Sequence, residues 1–247
     1  MISKKQRLDQ ILVNKNLVNS KSKAQAMIMA GQIFVEGKQI NKSGLSFNID
    51  SQIEVKALGP QWVSRGALKL IKALDKFNIN VEEKICLDLG ASTGGFTDVL
   101  LKRNAKKIYA VDVGTNQLNE KIKNNPKVIS LEKTNARYLV KEMFDELIQL
   151  VVCDVSFISL KKVILPNLNL LAKNSIIISL IKPQFESKRN ELKKGVIRDS
   201  LAHTRICNDI KKWFISECGC EFIGITKSPI KGPKGNIEFL ITVKYQK

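Results

Sequence analysis

From residue 64 onward, short apolar runs alternate with amphipathic stretches, whereas the N-terminal part of the chain keeps a different rhythm. The apolar runs fall near 85–89, 108–111, 127–131, 149–154 and 176–182, with two more near 222–227 and 237–243. Short apolar runs bounded by turn residues read as buried strands, and the patterns between them read as helices. Seven such strands with interleaved helices, the last two forming a hairpin, predict an α/β fold with a doubly wound, Rossmann-like sheet. Ser64 to Leu74 opens this region as a helix with apolar residues at 67, 68, 70, 71 and 74, and Lys69 beside the edge of that stripe.

Residues 5–57 read as a separate small unit. Arg7 to Val13 and Ala24 to Ala30 carry helical patterns, the second ended by Gly31. Ile33 to Val35 and Gln39-Ile40 flank Glu36-Gly37-Lys38 as a tight hairpin, and Ile53 to Val55 adds a third strand. Leu58-Gly59-Pro60-Gln61-Trp62 breaks every period. The expected division is therefore a domain over 1–58, a linker over 59–63 and a larger domain over 64–247.

The first chemistry is at Asp88-Leu89-Gly90-Ala91-Ser92-Thr93-Gly94-Gly95-Phe96-Thr97, a glycine turn between a strand and a helix pattern. Such a turn lets backbone approach a ligand and offers unpaired helix N–H groups to an anion. A phosphate-binding P-loop is excluded because Phe96 stands where its lysine must be. The dinucleotide fingerprint fails as well, since Ser92 replaces its second glycine. Asp112, at the end of the next strand and some twenty residues on, is placed to bind ribose hydroxyls. An adenosine-type cofactor without a diphosphate fits both facts, which points to S-adenosylmethionine. Asn135 and Arg137, after the third strand, are expected near its adenine.

Charge then narrows the partner. The net charge is +18, and the excess is spread: residues 1–59 carry nine Lys/Arg against four Asp/Glu, the rest thirty-two against nineteen. A broad basic field of that size suits a long polyanion, first of all nucleic acid. Ser187 to Lys194 adds a basic loop. No apolar run is long enough to span a bilayer, and no secretory signal precedes residue 7. Cys86, Cys153, Cys207, Cys218 and Cys220 are scattered and odd in number, as in a reduced cytoplasmic protein. With His203 the sole histidine, no metal site is expected.

Strand ends bring the remaining candidates to one edge of the sheet. The fourth strand ends in Asp154 and the fifth delivers Lys182; the last hairpin contributes Glu238, and the first helix Lys69. These four residues stand where the Lys-Asp-Lys-Glu tetrad stands in FtsJ-like ribose 2′-O-methyltransferases. The N-terminal unit resembles the αL RNA-binding motif of a small-subunit ribosomal protein, many pseudouridine synthases and tyrosyl-tRNA synthetases. Together with S-R-G-A-x-K-L, D-L-G-A-S-T-G-G-F-T, D-V-S-F-I-S-L and K-P-Q-F-E, the whole chain closely resembles the TlyA family, also called haemolysin A. Members of that family are ribosomal RNA cytidine 2′-O-methyltransferases.

The resemblance implies catalysis by Lys69, Asp154, Lys182 and Glu238, with Lys182 the best candidate base toward a ribose hydroxyl. It implies S-adenosylmethionine held by Asp88, Gly90, Ala91, Ser92, Thr93, Gly94, Gly95, Phe96, Asp112, Asn135, Arg137 and Asp154. RNA would meet Lys4, Lys5, Arg7, Lys21, Lys23 and Arg65. The partner implied is ribosomal RNA or a ribosomal subunit, met in the cytoplasm by a monomer. Ser156 and Ser159 read as helix caps. A membrane-active haemolysin and a non-catalytic RNA-binding assembly factor are the rival readings.

Overall fold

The structure is a computed structural model that describes residues 5–29, 31–55, 62–187, 191–192 and 195–247. Lys4, Ala30, the linker residues up to Gln61 and much of the basic loop 187–194 lie outside the described residues. The chain divides into two compact units, Met1–Gln61 and Trp62–Lys247.

In the first unit, helices α1 (Leu8–Asn14) and α2 (Lys21–Met29) pack together over a core of Leu8, Leu12, Ile28, Ile33 and Val35. Strand β2 (Ile33–Val35) lies between β3 (Lys38–Ile40) and β5 (Ile53–Val55), all antiparallel. Val35 pairs with Lys38, so the hairpin loop is only Glu36-Gly37. Both of those residues have positive φ, as the twist of a two-residue hairpin demands. A second pair, β1 (Lys5–Arg7) with β4 (Ser46–Asn48), was not expected, because neither segment carries an alternating apolar pattern.

Asp9, fully buried, organises this unit. It accepts Arg7 Nε at 3.1 Å and Arg7 Nη2 at 2.7 Å, and Gln25 Nε2 at 2.8 Å. The Arg7 hydrogen bonds hold the Asp9 carboxyl well below the usual carboxylate range, against the cost of its burial. Stability from this group is present above the ordinary carboxylate pKa and is lost as pH falls toward the depressed one. Asp9→Ala is expected to cost about 2 kcal/mol in urea denaturation, the scale of a charge-assisted hydrogen bond removed from a buried site.

The second unit is a seven-stranded sheet in the order β11-β12-β10-β9-β6-β7-β8. Its strands are β6 (Ile85–Leu89), β7 (Lys107–Val111), β8 (Val128–Leu131), β9 (Ile148–Cys153), β10 (Leu171–Ile181), β11 (Cys220–Lys227) and β12 (Phe239–Tyr245). The first five run parallel; β12 pairs antiparallel with both β10 and β11. The chain leaves β6 toward β7 and β8 on one side and places β9 on the other. The crevice at that reversal, beyond the strands' carboxyl ends, is where open α/β sheets bind ligands.

Two sequence expectations shift here. Helix α3 spans Ala67–Lys76 and buries Ala67, Lys69, Leu70, Ala73 and Leu74, whereas Leu68 is 42% exposed. Lys69 thus sits within the buried face instead of beside it, because two carboxylates meet its ammonium there. Trp62 and Val63, expected in the linker, pack within the second unit. The Lys102 ammonium lies 4.2 Å above the Trp62 ring, and Asp98 Oδ2 accepts Val63 N at 2.9 Å.

Candidate active site

The glycine turn leaves β6 and enters helix α4 (Gly95–Lys102) through Gly94, which is left-handed at φ 93°. Gly90, also left-handed, lies so close to the Asp154 backbone that a Cβ would come within 3.0 Å of its carbonyl oxygen. The turn is therefore pressed against the end of β9. Asp112, following β7, holds the turn from the other side. It accepts Ser92 N on Oδ2 and Gly114 N on Oδ1, both at 2.8 Å. Each oxygen keeps a further lone pair for a ligand hydroxyl.

Four charged groups meet beside the turn. Lys182 Nζ lies 2.6 Å from Asp154 Oδ1, and Lys69 Nζ lies 3.3 Å from Asp154 Oδ2 and 2.8 Å from Glu238 Oε2. Asp154 thus lies between the two lysines, and the two positive and two negative charges balance. Lys69, Lys182 and Glu238 are almost wholly buried. The short Lys182–Asp154 and Lys69–Glu238 contacts are ion pairs without hydrogen-bond alignment, leaving Asp154 Oδ1 and both Glu238 carboxylate oxygens with no hydrogen-bond partner among the described residues. Lys182 instead donates an aligned hydrogen bond to Ser156 Oγ at 2.7 Å.

Three cavities open from this cluster, and Ser156 lines all of them. One, of about 460 Å³, is lined by Gly90, Ser92, Asp112, Asn135, Arg137 and Asp154 among others. A second, of about 250 Å³, joins the turn from Gly90 to Phe96 with Arg65, Lys69, Lys182 and Lys231. The third, of about 300 Å³, lies between Lys182, Glu238, Phe157, Gln184, Phe185 and Lys234.

The structure brings most of the expected residues together. Gly90, Ala91, Ser92, Thr93, Gly95, Phe96, Asp112, Asn135, Arg137 and Asp154 all line one or both of the first two cavities. Asp88 and Gly94 line none of the three. Asp88 is fully buried behind the turn, accepting Thr97 Oγ1 at 2.6 Å. Gly94 faces Leu118 and Ile122, which a Cβ would strike, so its role is packing. Lys5, Lys21 and Lys23 are exposed, and so is Arg65 on the second cavity. Arg7 is half-exposed but spends two donors on Asp9. Asn135 Oδ1 accepts both Arg137 N and Arg137 Nε.

Several residues escaped sequence reasoning. Ser156, read as a cap, is instead the hydrogen-bond partner of Lys182. Ser159 does cap the next helix, its Oγ accepting Lys161 N at 3.3 Å, and its hydroxyl also donates to Glu186 Oε2 at 2.6 Å while Glu186 Oε1 accepts Leu160 N at 2.7 Å. Glu186 thereby joins the loop bearing Lys182 to the loop bearing Asp154. Burial, opposed by the Ser159 and Leu160 hydrogen bonds, pushes its carboxyl above the usual range. Phe157 is 91% exposed with φ 64° and its ring 5.3 Å from Phe185. An apolar side chain in water on a left-handed backbone is a sign no linear pattern carries.

Gly232, at φ −69°, packs directly on Glu238, and an added Cβ would land on Glu238 Oε1. Its backbone suits alanine, so Gly232→Ala is expected to keep the fold and displace the carboxylate. The expected result is an activity loss of roughly ten- to a hundredfold, the scale of misplacing a reacting group, with an unchanged circular dichroism spectrum.

A doubly wound sheet with a glycine turn, an acid beyond the second strand and a Lys-Asp-Lys-Glu cluster at its switch point defines a methyltransferase of the Rossmann-like class. The FtsJ-like methyltransferase family matches residues 62–245 and the S4 domain matches 6–47. The chain belongs to the FtsJ-like methyltransferases, in the branch whose members are named TlyA or hemolysin A. It is 47% identical to hemolysin A of Brachyspira hyodysenteriae over 95% of this chain and 98% of that one. It is 37% identical to the 16S/23S rRNA (cytidine-2′-O)-methyltransferase TlyA of Mycobacterium tuberculosis, over 99% of this chain and 92% of that one. A solved structure from Streptococcus thermophilus, also named hemolysin, matches with TM-score 0.74 and 37% identity over 99% of this chain and 90% of that one. Among the described residues no helix is long and apolar enough to cross a membrane.

Proposed function

We propose that the protein transfers a methyl group from S-adenosylmethionine to the 2′-hydroxyl of a cytidine in ribosomal RNA, in the cytoplasm. The observation that carries this reading is the buried Lys182–Asp154–Lys69–Glu238 chain at the junction of three cavities. The about 460 Å³ cavity fits the methyl donor: Asp112 has lone pairs for ribose hydroxyls, and Asn135, Arg137 and Asp154 line the same space. When bound, S-adenosylmethionine supplies a methyl activated by its sulfonium.

The chain's own residues handle the acceptor. Lys182 as the amine takes the 2′-hydroxyl proton, and its contacts with Asp154 and Ser156 stabilise the ammonium that results. Lys69 is held between Asp154 and Glu238, so it keeps both carboxylates in place while the charge on Lys182 changes. Much of the rate comes from alignment, which a buried, mutually paired cluster supplies in advance. Arg65 and the exposed lysines of the N-terminal unit, Lys5, Lys21 and Lys23, are the proposed phosphate contacts. The division of labour proposed is an RNA-binding module over 1–58 and catalysis over 64–247, acting as a monomer.

The test is transfer of labelled methyl from S-adenosylmethionine to isolated small and large ribosomal subunits, followed by mapping of the modified ribose. A 2′-O-methylcytidine at one position is expected. Failure of transfer to either subunit, with donor binding demonstrated by calorimetry, defeats the reading.

A further inference from the structure

We propose that the third cavity receives the base of the target nucleotide, and that Gln184 selects a base with an exocyclic amine, cytosine over uracil. This rests on the ribose methyltransferase reading above. Covalent geometry gives the first argument. The carbon bearing the 2′-hydroxyl is bonded to the carbon bearing the base. A hydroxyl at Lys182 therefore brings its base within a few ångströms of Lys182 Nζ. The about 300 Å³ cavity is lined by Lys182 together with Ser156 and Glu238. Phe157, Phe185 and Leu192 give it apolar walls, as the flat faces of a base require.

The second argument is an unanswered acceptor. Gln184 lines this cavity from helix α5 (Pro183–Glu186), two residues after Lys182. Its Oε1 is buried with no hydrogen-bond partner among the described residues. A buried acceptor without a donor is costly, and a ligand that brings the donor removes the cost. Cytosine presents an N–H donor at its exocyclic amine; uracil presents a carbonyl oxygen there, acceptor against acceptor. Rotating the amide to suit uracil lets one Nε2–H meet the carbonyl oxygen but leaves the second N–H without an acceptor at that buried position. The site therefore penalises uracil in either rotamer.

The experiment uses the full chain and two preparations of the ribosomal subunit it methylates. One carries the natural target cytidine, the other has that single nucleotide changed to uridine. Wild-type protein is expected to prefer cytidine by roughly ten- to a hundredfold in kcat/KM, the worth of one good base-edge contact. Gln184→Leu, which keeps the shape and loses the acceptor, is expected to bring that ratio within about threefold of unity. Its affinity for S-adenosylmethionine by calorimetry should match wild type. Gln184→Glu keeps an acceptor and is expected to retain the preference for cytidine. No preference in wild type, an unchanged ratio in Gln184→Leu, or loss of all activity in both variants overturns the assignment. Wild type that binds the donor and methylates neither preparation defeats the methyltransferase reading instead, which separates the two failures.

Discussion

Lys182→Ala is expected to lower the rate of methyl transfer by roughly 10²–10⁴-fold, the range over which a positioned general base contributes. Binding of S-adenosylmethionine should persist, because Lys182 does not line the about 460 Å³ cavity that Asp112 and Asn135 flank. The more telling variant is Lys182→Arg. Arginine keeps a positive charge beside Asp154 but has no accessible neutral form, so it cannot accept the hydroxyl proton. If Lys182 acts as the base, both variants fall alike. If its role is only to offset Asp154, from which it is 2.6 Å distant, the arginine variant recovers most of the rate. Single-turnover kinetics at saturating donor separates these outcomes, since product release then does not mask the chemical step. A Lys182→Arg rate within tenfold of wild type would sink the base assignment and move the proton's destination elsewhere.

The fold was largely legible because central strands of the second unit such as Ile85–Leu89 and Lys107–Val111 are short runs buried on both faces, a pattern that survives without neighbours. What was not legible depended on partners distant in sequence. Lys69 looked like an edge residue on its own helix, and only Asp154 and Glu238, 85 and 169 positions further on, make its burial affordable. The strands Lys5–Arg7 and Ser46–Asn48 are too polar to announce themselves and exist through pairing with each other. The tetrad was visible because strand ends deliver side chains to one edge of an open sheet, which topology alone dictates. Ser156 and Glu186 were not, since serine and glutamate in loops carry no periodic signal; their roles come from which oxygen faces which donor. Asp88 is the opposite case. Its place in the glycine motif suggested ligand contact, while the chain direction of β6 turns it inward, onto Thr97.

That inward acid sets the second large effect. Burial pushes the Asp88 carboxyl up to about 7, opposed by hydrogen bonds from Thr97 and reinforced by the nearby Asp154 and Asp112. In the unfolded chain it titrates as an ordinary carboxyl, near 3.8. Between those two values the folded protein holds a proton that the unfolded chain has released. Stability attributable to Asp88 is therefore complete below the unfolded value, declines as pH rises through this window, and levels off above the folded one. Asp88→Asn removes the titration and keeps an oxygen that can accept the Thr97 hydroxyl. The difference in unfolding free energy, variant minus wild type, is expected to grow by about 4 kcal/mol between pH 4 and pH 8, at ~1.4 kcal/mol for each pH unit spanned. A constant offset from burying the amide's N–H₂ adds to every point but does not alter the slope. Every other carboxylate is common to both proteins, so the difference isolates this one group. Urea denaturation of both proteins across that range reads it directly, and a flat difference would mean that Asp88 is ionised in the fold.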